Sequence, residues 1–349
     1  MQVVVRVDAS LEIGTGHVMR CLTLARVLRD RGADVLFICR EDDGHCCGAV
    51  ESAGFSCSRL PARSAGAADR GEEDARQSRA AIEAHGCAPD LLIVDHYALD
   101  QCWESILRPV VGRICVIDDL ANRRHDCDLL LDQNLHDAPD SRYSGLIPRG
   151  TRLFLGPKYA LLRPEFDGAS AVPRTQGLRR MMVFFGGVDT TNEAVKIVQA
   201  LRLMGATAPQ TDIVLGPANP HVKSVLGAVL GLDRANVVSR TENMAALMRA
   251  ADLGIGTCGV AAWERCSAGL PSLIVISADN QRDDARILDR MGAARCLGEA
   301  ADVNAEMWVA AIQAMQADPA ALQAMSVCTA SVMQGRRDAR REFETALVA

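Results

Sequence analysis

QVVVRVDASLEIGTGHVMRCLTLARVLRD, residues 2–30, carries the pattern that decides the fold. Valines dominate residues 2–7, Gly14 and Gly16 follow, and apolar residues then recur at helical spacing. A strand, a glycine-bearing loop and a helix in this order form the first half of a parallel βα unit. The segment therefore predicts an α/β protein that begins on a buried parallel strand.

The same alternation runs through the first half of the chain and restarts in the second. Strands are predicted at 2–7, 34–39, 91–94, 114–117 and 129–132, and then at 181–185, 212–215, 236–239, 252–255 and 272–276. Helices are predicted at 18–31, 72–85, 191–203, 243–250, 260–268 and 335–348. The stretch DGASAVPRTQG at 167–177 is rich in Gly, Pro and small polar residues and separates the two series.

The double alternation predicts two doubly wound, Rossmann-like α/β domains that face a cleft. We assign residues 1–166 to the first domain, 167–178 to a linker and 179–334 to the second, with 335–349 as a helix packed back on the first. A length of 349 residues suits two domains of ordinary size. Ligands of such sheets bind beyond the carboxyl ends of the strands, so we expect the ligand in the cleft.

Composition excludes several classes of protein. A hydrophobic fraction of 49% supports packed cores, and a net charge of −6 gives no reason to expect nucleic acid as a partner. The 13 cysteines are odd in number and form no CxxC pair, so we expect free thiols in a reducing compartment. The N-terminus lacks a signal-peptide pattern and no apolar run reaches about 18 residues. We expect a soluble, cytoplasmic monomer that does not bind membranes.

The loop after the first strand holds the first candidate site. Gly14 and Gly16 allow a tight backbone path, and His17 stands where the helix begins. A helix N-terminus disfavours the cationic imidazole, so we expect His17 to be neutral at pH 7 and able to accept a proton. The same residues also fit a plain turn capped by a histidine. Met19 replaces the third glycine of a GxGxxG dinucleotide motif, which argues against that site.

Glycine-rich loops in the second half predict a phosphate site. Gly186-Gly187 and the segment 256–259, GTCG, each follow a predicted strand and precede a helix. A glycine-lined helix N-terminus with a hydroxyl group suits a diphosphate, and Glu264 in the next helix could reach ribose hydroxyls. Each loop alone fits ordinary βα-turn chemistry equally well, whereas their joint occurrence favours phosphate binding.

Two further loops contain polar residues after strands. Asp279-Asn280-Gln281 fits either a helix N-cap or an amide that holds a sugar substituent. Asp95-His96-Tyr97 follows a strand of the first domain. The remaining histidines are scattered and are expected at surface or structural positions rather than as metal ligands: His45, His85, His125, His136 and His221.

The second half resembles the donor half of GT-B glycosyltransferases over residues 242–252 and 256–271. It is particularly similar to the peptidoglycan N-acetylglucosaminyl transferase that uses UDP-GlcNAc. The resemblance implies that Glu264 holds the ribose and that the backbone at Asn243 and Met244 contacts uracil. The residues implied for the diphosphate are Thr257, Cys258 and Gly259.

A longer set of motifs resembles one family over nearly the whole chain. The motifs are RVDAS at 6–10, IGTGHVMRCLTLA at 13–25, DHY at 95–97, DDLA at 118–121, DQN at 132–134, GPKYALLR at 156–163, FGGVD at 185–189 and ADNQ at 278–281. They are similar to the UDP-2,4-diacetamido-2,4,6-trideoxy-β-L-altropyranose hydrolases of pseudaminic acid biosynthesis. The family implies that His17 activates water and that Tyr97 and Asn280 contact the sugar. From the loops themselves we also expect Gly14, Gly16 and Gly187 in the substrate site. The segment 256–262 departs from the family, which is richer there in Gly, Ser and Thr.

Two other functions fit the same residues. A GT-B glycosyltransferase would share the donor half and use His17 against an acceptor hydroxyl, and a nucleotide-sugar binding module would bind UDP without turnover. UDP is a good leaving group, so the hydrolase must chiefly place water, remove its proton and stabilise diphosphate charge. We expect neither a cofactor nor a metal, because a helix N-terminus and backbone amides suffice for that charge.

Overall fold

The computed structural model describes residues 1–63, 71–86, 88–166, 174, 177–216, 218–239, 241 and 243–349. These residues form two compact units, one of Met1–Leu161 with Gly335–Ala349 and the other of Leu162–Gln334. The predicted linker, 167–178, lies largely outside the described residues. The division into 1–166, 179–334 and 335–349 stays a prediction.

The first unit is built on a sheet of seven parallel strands. They are β1 (Gln2–Val7), β2 (Asp34–Arg40), β3 (Ser56–Leu60), β4 (Leu91–Asp95), β5 (Arg113–Ile117), β6 (Leu129–Asp132) and β7 (Arg152–Leu155). Their spatial order is β3-β2-β1-β4-β5-β6-β7. The order reverses between β1 and β4, where Val7 lies opposite Asp95. The carboxyl ends of these two strands therefore form the topological switch point of the sheet.

Helices cover both faces of the first sheet, as the near-continuous apolar strands require. They are α1 (Gly16–Asp30), α2 (Cys47–Ser52), α3 (Gly71–Ala84), α4 (Gln101–Leu107) and the short α5 (Pro139–Arg142). Val3 and Val5 of β1 share one core with α1 and α2, whereas Val4 shares the other with α3 and with Trp103 of α4. The alternation of β1 side chains between two cores is the side-chain period of a strand.

The second unit contains a six-stranded parallel sheet. Its strands are β8 (Arg180–Phe184), β9 (Gln210–Val214), β10 (Ala235–Val238), β11 (Leu253–Thr257), β12 (Ser272–Ile276) and β13 (Ala294–Glu299), in the order β10-β9-β8-β11-β12-β13. Its helices are α6 (Glu193–Met204), α7 (Val222–Val229), α8 (Met244–Ala250), α9 (Val260–Ser267), α10 (Arg282–Arg290), α11 (Ala305–Ala317) and α12 (Pro319–Ser331). The switch point lies between β8 and β11, where Phe184 is opposite Gly256.

The last helix, α13 (Arg336–Val348), belongs to the first unit. Phe343 packs against Phe154 of β7 with ring centroids 4.9 Å apart. Arg113 donates hydrogen bonds of 2.9 and 2.7 Å to the carbonyls of Ala346 and Leu347. The helix thus returns its apolar face and its free carbonyls to the sheet on which the chain began.

Two doubly wound parallel sheets confirm the predicted fold class. All ten predicted strands are present with ends shifted by no more than about two residues. The sequence-based assignment missed β3, β7 and β13. In the described part of the chain, no helix has both the length and the apolar character of a membrane span.

Candidate functional site

The switch point of the first sheet brings His17 and Asp95 together. His17 lies in the first turn of α1, directly after β1, and Asp95 is the last residue of β4. The imidazole Nδ1 and Asp95 Oδ1 are 2.6 Å apart. Arg20 Nη2, which can only donate, is also 3.1 Å from Nδ1, but the shorter contact is to a carboxylate that can only accept. The shorter contact favours the hydrogen on Nδ1, which leaves Nε2 of a neutral ring as the acceptor. A base held by a buried carboxylate is the arrangement of a general base.

Arg20 completes this cluster from the next turn of α1. Its guanidinium donates to both oxygens of Asp95, with Nε to Oδ2 and Nη2 to Oδ1 each at 2.6 Å. Burial raises the pKa of Asp95, but the charge of Arg20 and the hydrogen bonds from Arg20 and His17 outweigh burial and hold that pKa well below its usual range. Asp95 is therefore ionised at neutral pH and able to orient His17.

Tyr97 lies beside the imidazole. Its ring meets His17 edge-on, with centroids 4.6 Å apart. Burial, together with the nearby charge of Asp119, raises the pKa of the Tyr97 hydroxyl well above its usual value. The phenol is therefore neutral at physiological pH, which suits hydrogen bonding to a sugar rather than proton transfer.

A second aspartate–histidine pair lies across the same two strands. Asp8 follows β1 and binds Arg6, with Nη1–Oδ1 at 2.5 Å and Nη2–Oδ2 at 2.8 Å. His96 follows β4, and its Nε2 is 3.3 Å from Asp8 Oδ2. The backbone N–H of Ala98 donates to the other ring nitrogen, Nδ1, at 3.0 Å. Both nitrogens of His96 thus have partners within the protein, whereas the contacts of His17 to Asp95 and Arg20 are both made through Nδ1.

The two predicted glycines of this loop have different roles. Gly14 has φ of 75°, the left-handed region that favours glycine, and its N–H donates to Ser10 at 2.8 Å to close a tight turn. Gly16 begins α1, and a Cβ placed there would meet nothing within 4 Å. Gly16 therefore leaves open space at the start of the helix, next to His17.

Glycines also meet at the switch point of the second sheet. Gly186 and Gly187 follow β8, and a Cβ on Gly216 would lie 2.2 Å from the carbonyl oxygen of Gly187. A Cβ on Gly256 in β11 would lie 2.3 Å from the carbonyl oxygen of Phe184. Only glycine permits these close backbone approaches.

Thr257, Cys258 and Gly259 lead from β11 into α9. Thr257 ends the strand and Gly259 is the residue that precedes the first turn of the helix. The Cys258 side chain is buried, and burial raises the pKa of its thiol well above the usual value. Cys258 therefore offers its backbone rather than its side chain, and a helix N-terminus such as that of α9 suits an anion.

Glu264 has a partner that the sequence did not predict. Arg163 forms a two-pronged ion pair with it, Nε–Oε1 and Nη2–Oε2 both at 2.7 Å. Glu264 is buried and lies within α9. A carboxylate has about four acceptor positions, so two remain for other donors such as hydroxyl groups.

Asn243, Met244 and Asn280 lie near the starts of other helices. Asn243 caps α8, and its side chain accepts a 2.8 Å hydrogen bond from the N–H of Ala246, while Met244 is buried. Asn280 is exposed in a short 3-10 turn, Asp279–Gln281, directly before α10. The Asn243 side chain therefore has a structural role, whereas Asn280 is open to solvent.

Two histidines expected to be structural are bound to carboxylates in the first unit. His125 Nδ1 is 2.7 Å from Glu104, and His136 Nε2 is 2.9 Å from Asp132. Among residues that the structure describes, no group of three or more His, Cys, Asp or Glu side chains is arranged to hold a metal ion. The 12 cysteines in the described ranges are all free thiols.

The chain is similar to glycosyltransferases in one domain and in its overall fold. Residues 182–341 match the glycosyltransferase family 28 C-terminal domain. The solved structure of MurG from Acinetobacter baumannii has a TM-score of 0.67 and 13% identity, covering 99% of both chains. The structure of LpCGTa in complex with UDP has a TM-score of 0.65 and 15% identity, covering 100% of this chain and 99% of the other. The chain therefore has the two-domain GT-B fold.

Curated proteins match the chain at low sequence identity. An uncharacterised protein of Methanocaldococcus jannaschii is 23% identical over 81% of this chain and 57% of its own length. The spore coat polysaccharide biosynthesis protein SpsG of Bacillus subtilis is 27% identical over 46% of this chain and 48% of its own. The chain thus spans about half the length of these two relatives. The UDP-2,4-diacetamido-2,4,6-trideoxy-beta-L-altropyranose hydrolase of Campylobacter jejuni is 27% identical over 71% of this chain and 81% of its own.

Sequence reasoning missed three members of these sites: Arg20, Asp95 as the partner of His17, and Arg163. Arg20 stands three residues after His17, a spacing that places both on one helix face and that was available in the sequence. Asp95 and Arg163 gave no such signal, because their partners lie 78 and 101 residues away along the chain.

Proposed function

We propose that the protein hydrolyses UDP-2,4-diacetamido-2,4,6-trideoxy-β-L-altropyranose to UDP and the free sugar, in pseudaminic acid biosynthesis. The observation that carries the proposal is the His17–Asp95 pair at the switch point of the first sheet, at 2.6 Å. The 27% identity with the hydrolase of Campylobacter jejuni supports the choice of substrate. The GT-B fold supports the choice of a nucleotide-sugar.

In the proposed reaction, His17 is the general base. Its Nε2 takes a proton from water while the water oxygen attacks the anomeric carbon of the sugar. The bond between that carbon and the diphosphate oxygen breaks, and UDP leaves with the electron pair. Asp95 stabilises the imidazolium that forms, and Arg20 keeps Asp95 ionised and fixed in place.

The second unit is proposed to bind the nucleotide. Backbone N–H groups at Thr257, Cys258 and Gly259 meet the diphosphate, with the partial positive charge of the α9 N-terminus behind them. Glu264 accepts hydrogen bonds from the ribose hydroxyls while Arg163 fixes its carboxylate. The backbone at Asn243 and Met244 contacts uracil, and Gly187 leaves room for the ligand.

Tyr97 and Asn280 are proposed to contact the sugar. The neutral Tyr97 hydroxyl and the exposed Asn280 amide donate to or accept from its acetamido and hydroxyl groups. Gly14 and Gly16 keep the backbone close to the reacting carbon without a side chain in the way.

Glycosyl transfer is the second candidate, and the match to the glycosyltransferase family 28 C-terminal domain favours it. In that reaction, His17 would deprotonate an acceptor hydroxyl instead of water. The two reactions share every role assigned to the second unit. They differ only in the nucleophile, so the experiment must identify the nucleophile.

The deciding experiment supplies the UDP-sugar in ¹⁸O-water with no acceptor. Hydrolysis predicts that UDP is released as fast without an acceptor as with one. It also predicts one ¹⁸O atom in the free sugar by mass spectrometry. UDP release that requires an added acceptor, with no free sugar, would indicate a transferase. UDP binding without any release would indicate a binding module. His17→Asn is the control for background hydrolysis.

A further inference from the structure

Arg265 is a buried arginine that the proposed mechanism does not use. It lies in α9, is 3% exposed, and is next to Glu264 in the chain. Its Nη2 donates to the carbonyl of Thr257 at 2.7 Å. Its Nε and Nη1 are buried with no hydrogen-bond partner among the described residues. Buried arginine nitrogens normally have partners, so this side chain requires an explanation.

The strand β11 is shaped around this side chain. A Cβ on Gly254 would lie 2.8 Å from Arg265 Cδ, and a Cβ on Gly256 would lie 2.9 Å from Arg265 Nη1. Glycine inside a strand costs conformational entropy and packing, so a pair of them marks a close approach. The two glycines form a track along which the guanidinium reaches the carboxyl end of β11, beneath the Thr257 carbonyl.

Among the described residues, Arg265 forms no ion pair with a carboxylate. Glu264 is the adjacent acid in the chain, and its carboxylate is already bound by Arg163. Glu165 also lies 3.7 Å from Arg163, so both neighbouring carboxylates pair with Arg163 rather than with Arg265. Burial lowers the pKa of Arg265, yet an arginine side chain stays protonated in proteins. A buried cation without a direct ion pair is unfavourable unless an anion comes near.

We infer that Arg265 supplies a buried positive charge to a diphosphate site at Thr257, Cys258 and Gly259. This inference rests on the proposed function, since it takes the ligand to be a nucleoside diphosphate. Arg265 acts as a positioning residue: its unpartnered nitrogens are fully buried, so it acts through its field and through the Thr257 peptide rather than by touching phosphate. Two sources of positive potential, the helix N-terminus and the guanidinium, then act on the same anion.

The test compares UDP with uridine, because only UDP carries the diphosphate. Arg265→Met keeps most of the apolar stem and removes the charge. We expect it to weaken UDP binding about tenfold or more, while uridine binding changes by less than about twofold, measured calorimetrically at low salt. Arg265→Lys is expected to recover most of the UDP affinity. Arg174→Met is the matched control, because Arg174 is also buried in this unit and its guanidinium donates to the carbonyls of Met248 and Ala268.

Equal weakening of UDP and uridine in folded Arg265→Met would overturn the inference, and so would unchanged UDP binding. If Arg265→Met does not fold, Arg265→Gln, which also removes the charge, decides: a lowered ratio of UDP to uridine affinity supports the inference, and an unchanged ratio overturns it. Failure of the proposed function is a different result, since the wild-type protein would then show no UDP binding or no UDP release. The two failures are therefore distinguishable.

Discussion

The carboxyl ends of the two sheets present different chemistry. In the first unit, strands end at or beside aspartates that arginine or histidine side chains bind: Asp8, Asp95, Asp118 and Asp132. In the second unit, β8 and β11 lead into glycines and into a helix N-terminus. The same α/β architecture thus offers charged side chains at one switch point and bare backbone at the other.

This difference suggests a division of labour. Buried, paired charges hold a base in a fixed orientation, which is what proton transfer needs. Backbone N–H groups at a glycine-lined helix start suit an anion that must bind and leave. Substitutions in the first unit are therefore expected to change turnover, and substitutions in the second to change nucleotide affinity. The predictions below test how far the roles of the two units are separate.

The largest effect is expected at Asp95. Asp95→Asn keeps the shape of the side chain but removes the charge that orients His17 and binds Arg20. We expect kcat to fall on the order of 10²–10⁴-fold, with UDP affinity unchanged. Asp119→Asn is the matched control, because Asp119 makes a longer contact with Arg20, at 3.4 Å. In that variant kcat should fall by less than about tenfold. Near-native turnover in Asp95→Asn would exclude the His17–Asp95 pair from the mechanism.

The next effect is a pH dependence of stability that arises from His125 in the first unit. Burial lowers the pKa of His125, but the carboxylates of Asp118 and Glu104 outweigh burial and raise it to about 9. A raised folded-state pKa adds stability that is complete below the unfolded value, about 6.5, and is lost as the pH rises through 9. The shift corresponds to about 3 kcal/mol at most.

Urea unfolding between pH 6 and pH 10 measures this loss. His125→Gln should be less stable than the wild type at pH 6, and the difference between the two should shrink by pH 10. His221 is the single histidine of the second unit, so His221→Gln is the control and should leave the profile unchanged. A stability difference between His125→Gln and the wild type that is constant over this range would contradict the assignment.

A smaller effect is expected for Glu264, on nucleotide affinity. Glu264→Ala should weaken UDP binding by roughly 1–3 kcal/mol, the cost of losing a charge-assisted hydrogen bond. The change also leaves Arg163 without its partner, so Arg163→Met is the matched control that keeps the carboxylate. We expect Arg163→Met to weaken UDP binding less than Glu264→Ala does, because the carboxylate is kept but is no longer fixed. Unchanged calorimetric affinity in Glu264→Ala would exclude Glu264 from the site.

The smallest effect concerns Asn243. Asn243→Ala removes the cap that accepts the N–H of Ala246, so it should cost about 1 kcal/mol of stability. Only the backbone is proposed to meet uracil, so UDP affinity should stay within about twofold. Asn304→Ala removes an equivalent cap, on α11, and is the control for stability alone. A large loss of UDP affinity in Asn243→Ala alone would assign the side chain to the ligand.

The fold could be predicted from the sequence wherever strands are buried on both faces. The three missed strands, β3, β7 and β13, are all at sheet edges. Edge strands are covered less completely and tolerate polar residues, as in SCSRL of β3 and ARCLGE of β13, so they lack the continuous apolar pattern of a central strand. Apolar periodicity detects the central strands of a sheet and misses most of the edge strands.

The candidate sites could be predicted only in part, for a related reason. Loops after strands are visible in the sequence, and they pointed to His17 and to the segment 256–259. Which of those loops are neighbours depends on strand order and register. The pairing of Val7 with Asp95 places His17 and Asp95 together, and no local pattern encodes that pairing. The partner of Glu264, Arg163, was invisible for the same reason.

The most direct test of the division of labour is a paired measurement on His17→Asn, turnover of the UDP-sugar and calorimetric affinity for UDP. Asparagine keeps a polar side chain of similar reach but cannot accept the proton at neutral pH. We predict that kcat falls on the order of 10²–10⁴-fold while UDP affinity and the thermal midpoint stay at wild-type values. His17→Phe should behave in the same way. Near-native turnover in folded His17→Asn, or a parallel loss of UDP affinity, would contradict the account.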